Sequence, residues 1–311
     1  MAAETARRKD HVQAIQAGLD FLSECQMPNG AIVEPVTDPL AVLAQPESLS
    51  ARQLFQATAG ADIWNTVNAL AAFRQNGRDT RRLDAFLLSQ LRKGEGLCYW
   101  SARVGLCCET TAAMARLARP SHRRGLIALL RRKAYPAGRW PSYILDGPGG
   151  YETYQAAPSV TAWIVPLLSP SDSLYQAGLR YLETSLKGRP IWGVHPAFYL
   201  TPFYPAHLAA RILPKPSVVD YTLSTQDRRG GWGFGDPPTE PCAALPTALA
   251  ILTLRAFPRA PAVGRAIDRG IQWLLGTQRR NGAFPRGRAP EELFYVGDVY
   301  PTCLSLFALS G

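Results

Sequence analysis

Two kinds of segment alternate along the chain. Stretches such as "TRRLDAFLLSQL" and "GRAIDRGIQWLLGT" set apolar residues three and four apart among charged ones, the pattern of a helix with one solvated face. Between them come "DIWNTVNALAAF", "CCETTAAMARLA", "APSVTAWIVPLL", "FYPAHLAARIL", "ALPTALAILTL" and "VYPTCLSLFAL", which are nearly uncharged and predict helices buried all round. The more charged helices end in turns built on glutamine, glycine and an aromatic or apolar residue: "CQMPNGAI", "YPAGRWPSYI", "STQDRRGGWGF" and "GTQRRNGAF", with weaker copies at "LRKGEGLCYW" and "LKGRPIWGV". Glycine permits a backbone that other residues resist, and the aromatic supplies area to clamp neighbouring helices. Aligning Thr66, Thr111, Thr161, His207, Thr247 and Thr302 gives steps of 45, 50, 46, 40 and 55 residues, a repeat with loop insertions. The expected architecture is all-α: a single (α/α)6 barrel over residues 1–311, with six solvated outer helices around six buried inner ones.

Composition leaves that picture unchanged: 47% hydrophobic and 19% charged residues describe a globular chain. No apolar run approaches the roughly 20 residues of a membrane span, and "MAAETARRKD" lacks the hydrophobic stretch of a secretion signal, so a cytoplasmic location is expected. Cys25, Cys98, Cys107, Cys108, Cys242 and Cys303 are scattered without metal spacing, and free buried thiols are expected. The net charge of +10 rests partly on Arg78, Arg81, Arg82, Arg123, Arg124, Arg131, Arg132 and Lys133, which fall on the solvated outer helices. An anionic membrane surface, touched peripherally, is the macromolecular partner this charge fits; nucleic acid is not expected.

A barrel of identical units brings the N-terminal ends of its inner helices to one rim. Four residues before the aligned positions stand Asp62, Cys107, Ala157, Phe203, Ala243 and Asp298; two before stand Trp64, Glu109, Ser159, Pro205, Leu245 and Tyr300. Closure puts unit six beside unit one, so Asp298, Asp62 and Glu109 come from successive helices. Around them Trp64, Tyr151, Tyr154, Trp163, Phe198, Tyr199, Phe203, Tyr204, Phe294, Tyr295 and Tyr300 offer aromatic faces that attract a cation. An acid at a helix start has two readings, a cap favoured by the helix dipole or a proton donor whose pKa burial has raised, and both stand for Glu109. For Asp62 and Asp298 the cap is set against a partner acid or a terminal base.

The turns "QDRRGGWGF", "QRRNGAF" and "QMPNGAI" resemble the QxxxGxW repeat of the squalene-hopene and oxidosqualene cyclases and of their single-barrel class II terpene cyclase relatives. The resemblance extends over nearly the whole chain and implies the same barrel. Those enzymes carry DxDDTA, whose middle aspartate protonates an alkene or epoxide. Setting its Thr-Ala on Thr111-Ala112 lays "CCETTA" against it, and Glu109 takes the proton donor's place while Cys107 replaces the first aspartate. Oxidosqualene cyclases pair one acid with thiols, which Cys107 and Cys108 resemble. What this implies is a cyclase that protonates a linear isoprenoid, as alkene or terminal epoxide, free or joined to another group, without metal or cofactor. A non-catalytic isoprenoid- or lipid-binding barrel is one alternative. A zinc prenyltransferase β-like subunit is another, although that family's late histidine falls here on Pro301. The segment from Ile32 to Ala59 is expected to act as a lid.

Overall fold

The computed structural model describes residues 2–34, 62–91, 96–98, 106–144, 158–192, 201–235, 238–258, 260–287 and 297–311. Among them are twelve α-helices: α1 (Ala2–Glu24), α2 (Asp62–Gln75), α3 (Arg81–Leu91), α4 (Cys108–Leu117), α5 (Pro120–Arg132), α6 (Pro158–Ile164), α7 (Ser173–Leu186), α8 (Phe203–Ile212), α9 (Pro216–Ser224), α10 (Ala244–Arg255), α11 (Pro261–Thr277) and α12 (Val299–Ser310). The even-numbered helices form a closed inner ring in which each packs on the next and α12 returns to α2. The odd-numbered helices lie outside them, and the six-plus-six barrel expected from the polarity pattern is the fold.

The outer helices start on strong local signals. Pro120, Pro216 and Pro261 occupy first-turn positions, where proline's missing N–H costs nothing. The Asp172 side chain accepts the Leu174 N–H at 3.0 Å to cap α7. In the inner ring α6 stops after seven residues, and Val165–Leu167 continue as a 3-10 turn. Pro166 is the cause, since it removes a helical donor and clashes with the carbonyl one turn back.

Each element of the repeated turn has a task. Gln226 Nε2 donates to the Gly230 carbonyl at 2.8 Å, closing its own turn, and to the Ala266 carbonyl of the next outer helix at 2.8 Å. Gln278 does the same toward Gly282 at 2.9 Å and Ala14 of α1 at 2.8 Å, so the last turn bonds to the first helix and closes the outer ring. Gly282 adopts φ +87°, and a Cβ there would lie 2.0 Å from the Ala17 carbonyl oxygen, so only glycine lets the turn reach that backbone. The indoles of Trp140, Trp192 and Trp232 are fully buried, and each donates to a carbonyl late in the preceding outer helix, at 2.7, 2.9 and 2.8 Å.

The aligned threonines tie five of the six inner helices to the turns that precede them. Thr66, Thr111, Thr161, Thr247 and Thr302 accept the backbone N–H of Ile32, Leu97, Trp140, Trp232 and Phe284 at 2.8, 3.1, 3.4, 2.9 and 2.9 Å. In unit four the alignment needs correcting by one residue. Ala206 is fully buried against Ile191, Ala210 and Val218 on the outer side, as the threonines are elsewhere, while His207 faces the bore. The shared "YP" and "LP" ahead of Ala206, Thr247 and Thr302 mark the true register. The rim residue of α8 is therefore Tyr204 and not Pro205.

Two small antiparallel pairs add to the helices. β1 (Leu106–Cys107) pairs with β2 (Tyr143–Ile144) and leads directly into α4; β3 (Gly233–Gly235) pairs with β4 (Pro238–Cys242) ahead of α10. All six cysteines are free. No helix among the described residues is long and apolar enough to cross a membrane.

Candidate active site

The inward stripe of each inner helix recurs at helical spacing, and residues three, four and seven apart share a face. On α2 it runs through Trp64, Val67, Asn68 and Ala71; on α4 through Glu109, Ala113 and Arg116; on α8 through Tyr204, His207 and Arg211; on α12 through Tyr300, Leu304 and Phe307. The first of each set forms a layer near the N-terminal rim. The segments outside the described residues at 35–61, 99–105, 145–157, 193–200, 236–237 and 288–296 each connect, in chain order, a turn to the inner helix after it.

Glu109 sits in that layer, 7% exposed. Its Oε1 is buried and makes no hydrogen bond among the described residues. Burial pushes its pKa up to about 8, with the indole N–H of Trp163 pulling weakly the other way, so the carboxyl keeps its proton near neutrality. The same indole donates to Tyr204 Oη at 2.7 Å. Trp64 packs against Trp163 edge to face, with ring centroids 6.1 Å apart, and against Tyr300 at 5.6 Å. A buried neutral acid thus stands beside Trp163, which links to Trp64, Tyr204 and, through Trp64, Tyr300, an arrangement that can donate a proton and then stabilise the cation it creates.

The thiols divide. Cys107 Sγ accepts from Thr110 N at 3.4 Å and from Thr110 Oγ1 at 3.1 Å, capping α4. Its pKa is pushed up to about 12, first by burial and then by the neighbouring Glu109 carboxyl. Cys108 is fully buried in the core, and burial raises its pKa still further. Capping of α4 therefore falls to Cys107, which leaves the Glu109 carboxyl free for other work.

The two aspartates bind backbone. Asp62 is buried at the start of α2 and accepts the Ile63 N–H at 2.9 Å. Asp298 pairs with Arg279 and accepts the Arg286 N–H at 2.9 Å. Neither is among the causes of the Glu109 shift, which burial dominates, as a proton donor raised by burial requires. Phe203 turns outward, its ring 6.2 Å from Tyr221 and 6.3 Å from Trp232, and belongs to the packing between layers. Tyr151, Tyr154, Phe198 and Tyr199, with Phe294 and Tyr295, lie outside the described residues, as does the expected lid beyond Glu34.

Sequence reasoning missed Glu34. Its carboxylate accepts Asp298 N–H at 2.9 Å and Val299 N–H at 3.2 Å, capping α12 from the turn after α1, and Asn65 Nδ2 reaches it at 3.4 Å. Burial raises its pKa to about 7 against these backbone bonds. No local pattern announces it, because the helix it caps begins 265 residues later in the chain.

Beyond the aromatic layer, toward the C-terminal ends of the inner helices, lies a cavity of about 280 Å³ lined by Trp163, Tyr204 and Tyr300, the apolar Leu249, Leu252, Leu304 and Phe307, and the basic Arg116, His207 and Arg211. Among the described residues no group of three or more His, Cys, Asp or Glu side chains is placed to hold a metal ion.

No protein-family model and no curated protein sequence matches the chain. Solved structures do. The type II terpene cyclase MstE from Scytonema superposes with a TM-score of 0.69 at 16% identity, covering 97% of this chain and 98% of that one. A variant of MstE in complex with geranylgeranyl dihydroxybenzoate, its substrate, gives 0.71 at 15% identity over 97% of each chain. An ent-copalyl diphosphate synthase from Streptomyces platensis gives 0.56 at 18% identity, over 81% of this chain and 51% of the longer enzyme. The superposition on MstE spans nearly the whole of both chains, and this chain has the class II terpene cyclase-like fold.

Proposed function

We propose that the protein is a class II type terpene cyclase in which Glu109 is the proton donor. The observation that carries this reading is the Glu109 carboxyl: buried, neutral near pH 7, with one oxygen unpartnered among the described residues, and beside Trp163, which packs with Trp64 and bonds Tyr204. It occupies the place of the middle aspartate in the family's acid motif. A terminal alkene takes the Glu109 proton on its less substituted carbon, and the π pair becomes the new C–H bond. A terminal epoxide takes it on oxygen, and the C–O bond opens. The tertiary cation is then attacked by the next double bond, forming a ring, until a proton leaves the last cation and Glu109 regains one. The aromatic faces lower the energy of the cations, and an apolar bore keeps water from capturing them.

Asp62, Asp298 and Glu34 act in this reading as positioning groups that hold the starts of α2 and α12 beside Glu109. Cys107 does the same for α4. The substrate is a linear isoprenoid, and MstE's geranylgeranyl dihydroxybenzoate makes an isoprenoid joined to an aromatic acid the first candidate. Incubation with that compound and with geranylgeraniol, each with and without a terminal epoxide, tests the reading through cyclic products by mass spectrometry. Binding without conversion of any of them would favour a lipid-binding barrel.

A further inference from the structure

The cavity in the bore begins at Trp163, Tyr204 and Tyr300, aromatic residues of the proposed reaction, and its C-terminal end carries a different chemistry. Its two sides differ sharply. α10 and α12 present Leu249, Leu252, Leu304 and Phe307, while α4 and α8 present Arg116, His207 and Arg211, and no acidic residue is among the described residues that line it. Both arginines stand in the last turn of their helices. Helical side chains lean toward the N-terminus, so from there they reach back into the bore.

Arg116 is partly occupied. It donates to the Trp163 carbonyl at 3.1 Å and lies 4.4 Å from the centre of the Trp163 ring. Arg211 makes no hydrogen bond or ion pair among the described residues and is exposed at the mouth. His207 is held neutral by burial and by the two arginines, which bring its pKa down to about 3. The ring donates to the Leu252 backbone, and its buried Nδ1 has no partner among the described residues, so with the proton on the other nitrogen Nδ1 is an acceptor. Two cations and one bare acceptor beside an apolar wall form a set of unmet demands.

We propose that this cavity binds a single-chain amphiphile with a phosphate monoester head, the head between Arg116, Arg211 and His207 and the tail along Leu249, Leu252, Leu304 and Phe307. A singly protonated phosphate answers each demand. Its charged oxygens take the arginine N–H groups, and its P–OH donates to His207 Nδ1; a carboxylate offers only the first. Arg116 lies seven residues, roughly 10 Å, beyond Glu109 along α4, so the head is held away from the proton donor and its binding is read without turnover.

The test is isothermal titration at pH 6, where about half of a phosphate monoester carries one proton. Probes are octyl phosphate, octanoate, octanol and inorganic phosphate. Octyl phosphate is expected to bind about 10-fold or more tightly than octanol and inorganic phosphate, with octanoate between. Arg211→Gln, at an exposed position, is expected to remove that margin while leaving octanol binding and the circular dichroism spectrum unchanged. Vesicles containing lysophosphatidic acid, a single-chain phosphate monoester, distinguish the source of the head: co-sedimentation lost in Arg211→Gln assigns it to a membrane lipid, and co-sedimentation unaffected by the substitution assigns it to a free amphiphile. Equal affinity for octanol and octyl phosphate in the unmodified chain, or unchanged octyl phosphate affinity in Arg211→Gln, overturns the proposal.

Discussion

The two ends of the bore are built by the same six helices and carry opposite chemistry. At the N-terminal end of the inner helices stands Glu109, neutral by burial and beside the Trp163 indole, which packs with Trp64 and bonds Tyr204. At the other end the groups are Arg116, His207 and Arg211, with no acid among the described residues of the lining. Helix dipoles run the same way in all six helices, so the positive ends meet near Glu109 and the negative ends near the arginines. A carboxylate would be favoured at the first end, yet Glu109 is protonated because desolvation outweighs the dipole. At the second end the dipoles help keep the arginines charged. Burial depth, more than the dipole, sets what each end can do.

The largest effect that could break this comparison is at Glu109. Glu109→Gln keeps the side chain's size and removes its transferable proton, so we expect a folded protein with cyclisation slowed by about 100-fold or more. A rate unchanged in Glu109→Gln would move the proton source elsewhere, with Asp298 the next residue to replace.

The next effect is on pH. Cyclisation should fall as pH rises through about 8, where folded Glu109 loses its proton. Arg211→Gln should leave that profile in place if the two ends are independent. Stability has the same sign. Between the unfolded value of 4.5 and about 8 the folded chain holds a proton that the unfolded chain has released, so stability attributable to Glu109 is fully present below 4.5 and is lost as pH rises through about 8. Thermal unfolding of Glu109→Gln across pH 5 to 8 should therefore show a flatter dependence than the unmodified chain, and an identical slope would count against the shift.

A smaller effect separates what holds each end together. The rim is tied by buried threonine hydroxyls, the far end by arginines reaching neighbouring carbonyls: Arg74 to Leu117, and Arg255 to Phe307 at 3.3 Å. Thr302→Val strands the Phe284 N–H and should cost about 1–3 kcal/mol in urea denaturation. Arg255→Gln, only partly buried, should cost less. The smallest effect concerns the outside. With a net charge of +10 we expect weak adsorption to anionic liposomes that disappears at high salt, and salt-independent sedimentation would remove the electrostatic argument.

Much of the barrel was legible because each unit repeats the same solution to the same problem. The Gln, Gly and aromatic of each turn are read at fixed spacing, and their bonds are local or reach the adjacent outer helix, so the pattern carries its geometry with it. Unit four broke the reading because Ala206 replaces the hydroxyl and His207 beside it drew the alignment. The register was recoverable from "YPA" against "YPT" and "LPT", a comparison of neighbours rather than of single residues. Arg116 was also within reach, seven residues after Glu109 on the same helix face.

The sequence by itself determined the alternation of solvated and buried helices, the turns between them, and that an acid stands at the start of α4, since these depend on polarity and spacing along the chain. Only the tertiary structure decided that Glu109 is neutral, that Glu34 caps a helix 265 residues away, that Phe203 faces outward, and that Arg116, His207 and Arg211 share one cavity. Protonation depends on how much water surrounds a carboxyl, and shared cavities on which helices close the ring. Both are set by contacts between segments distant in the chain, which no local pattern records.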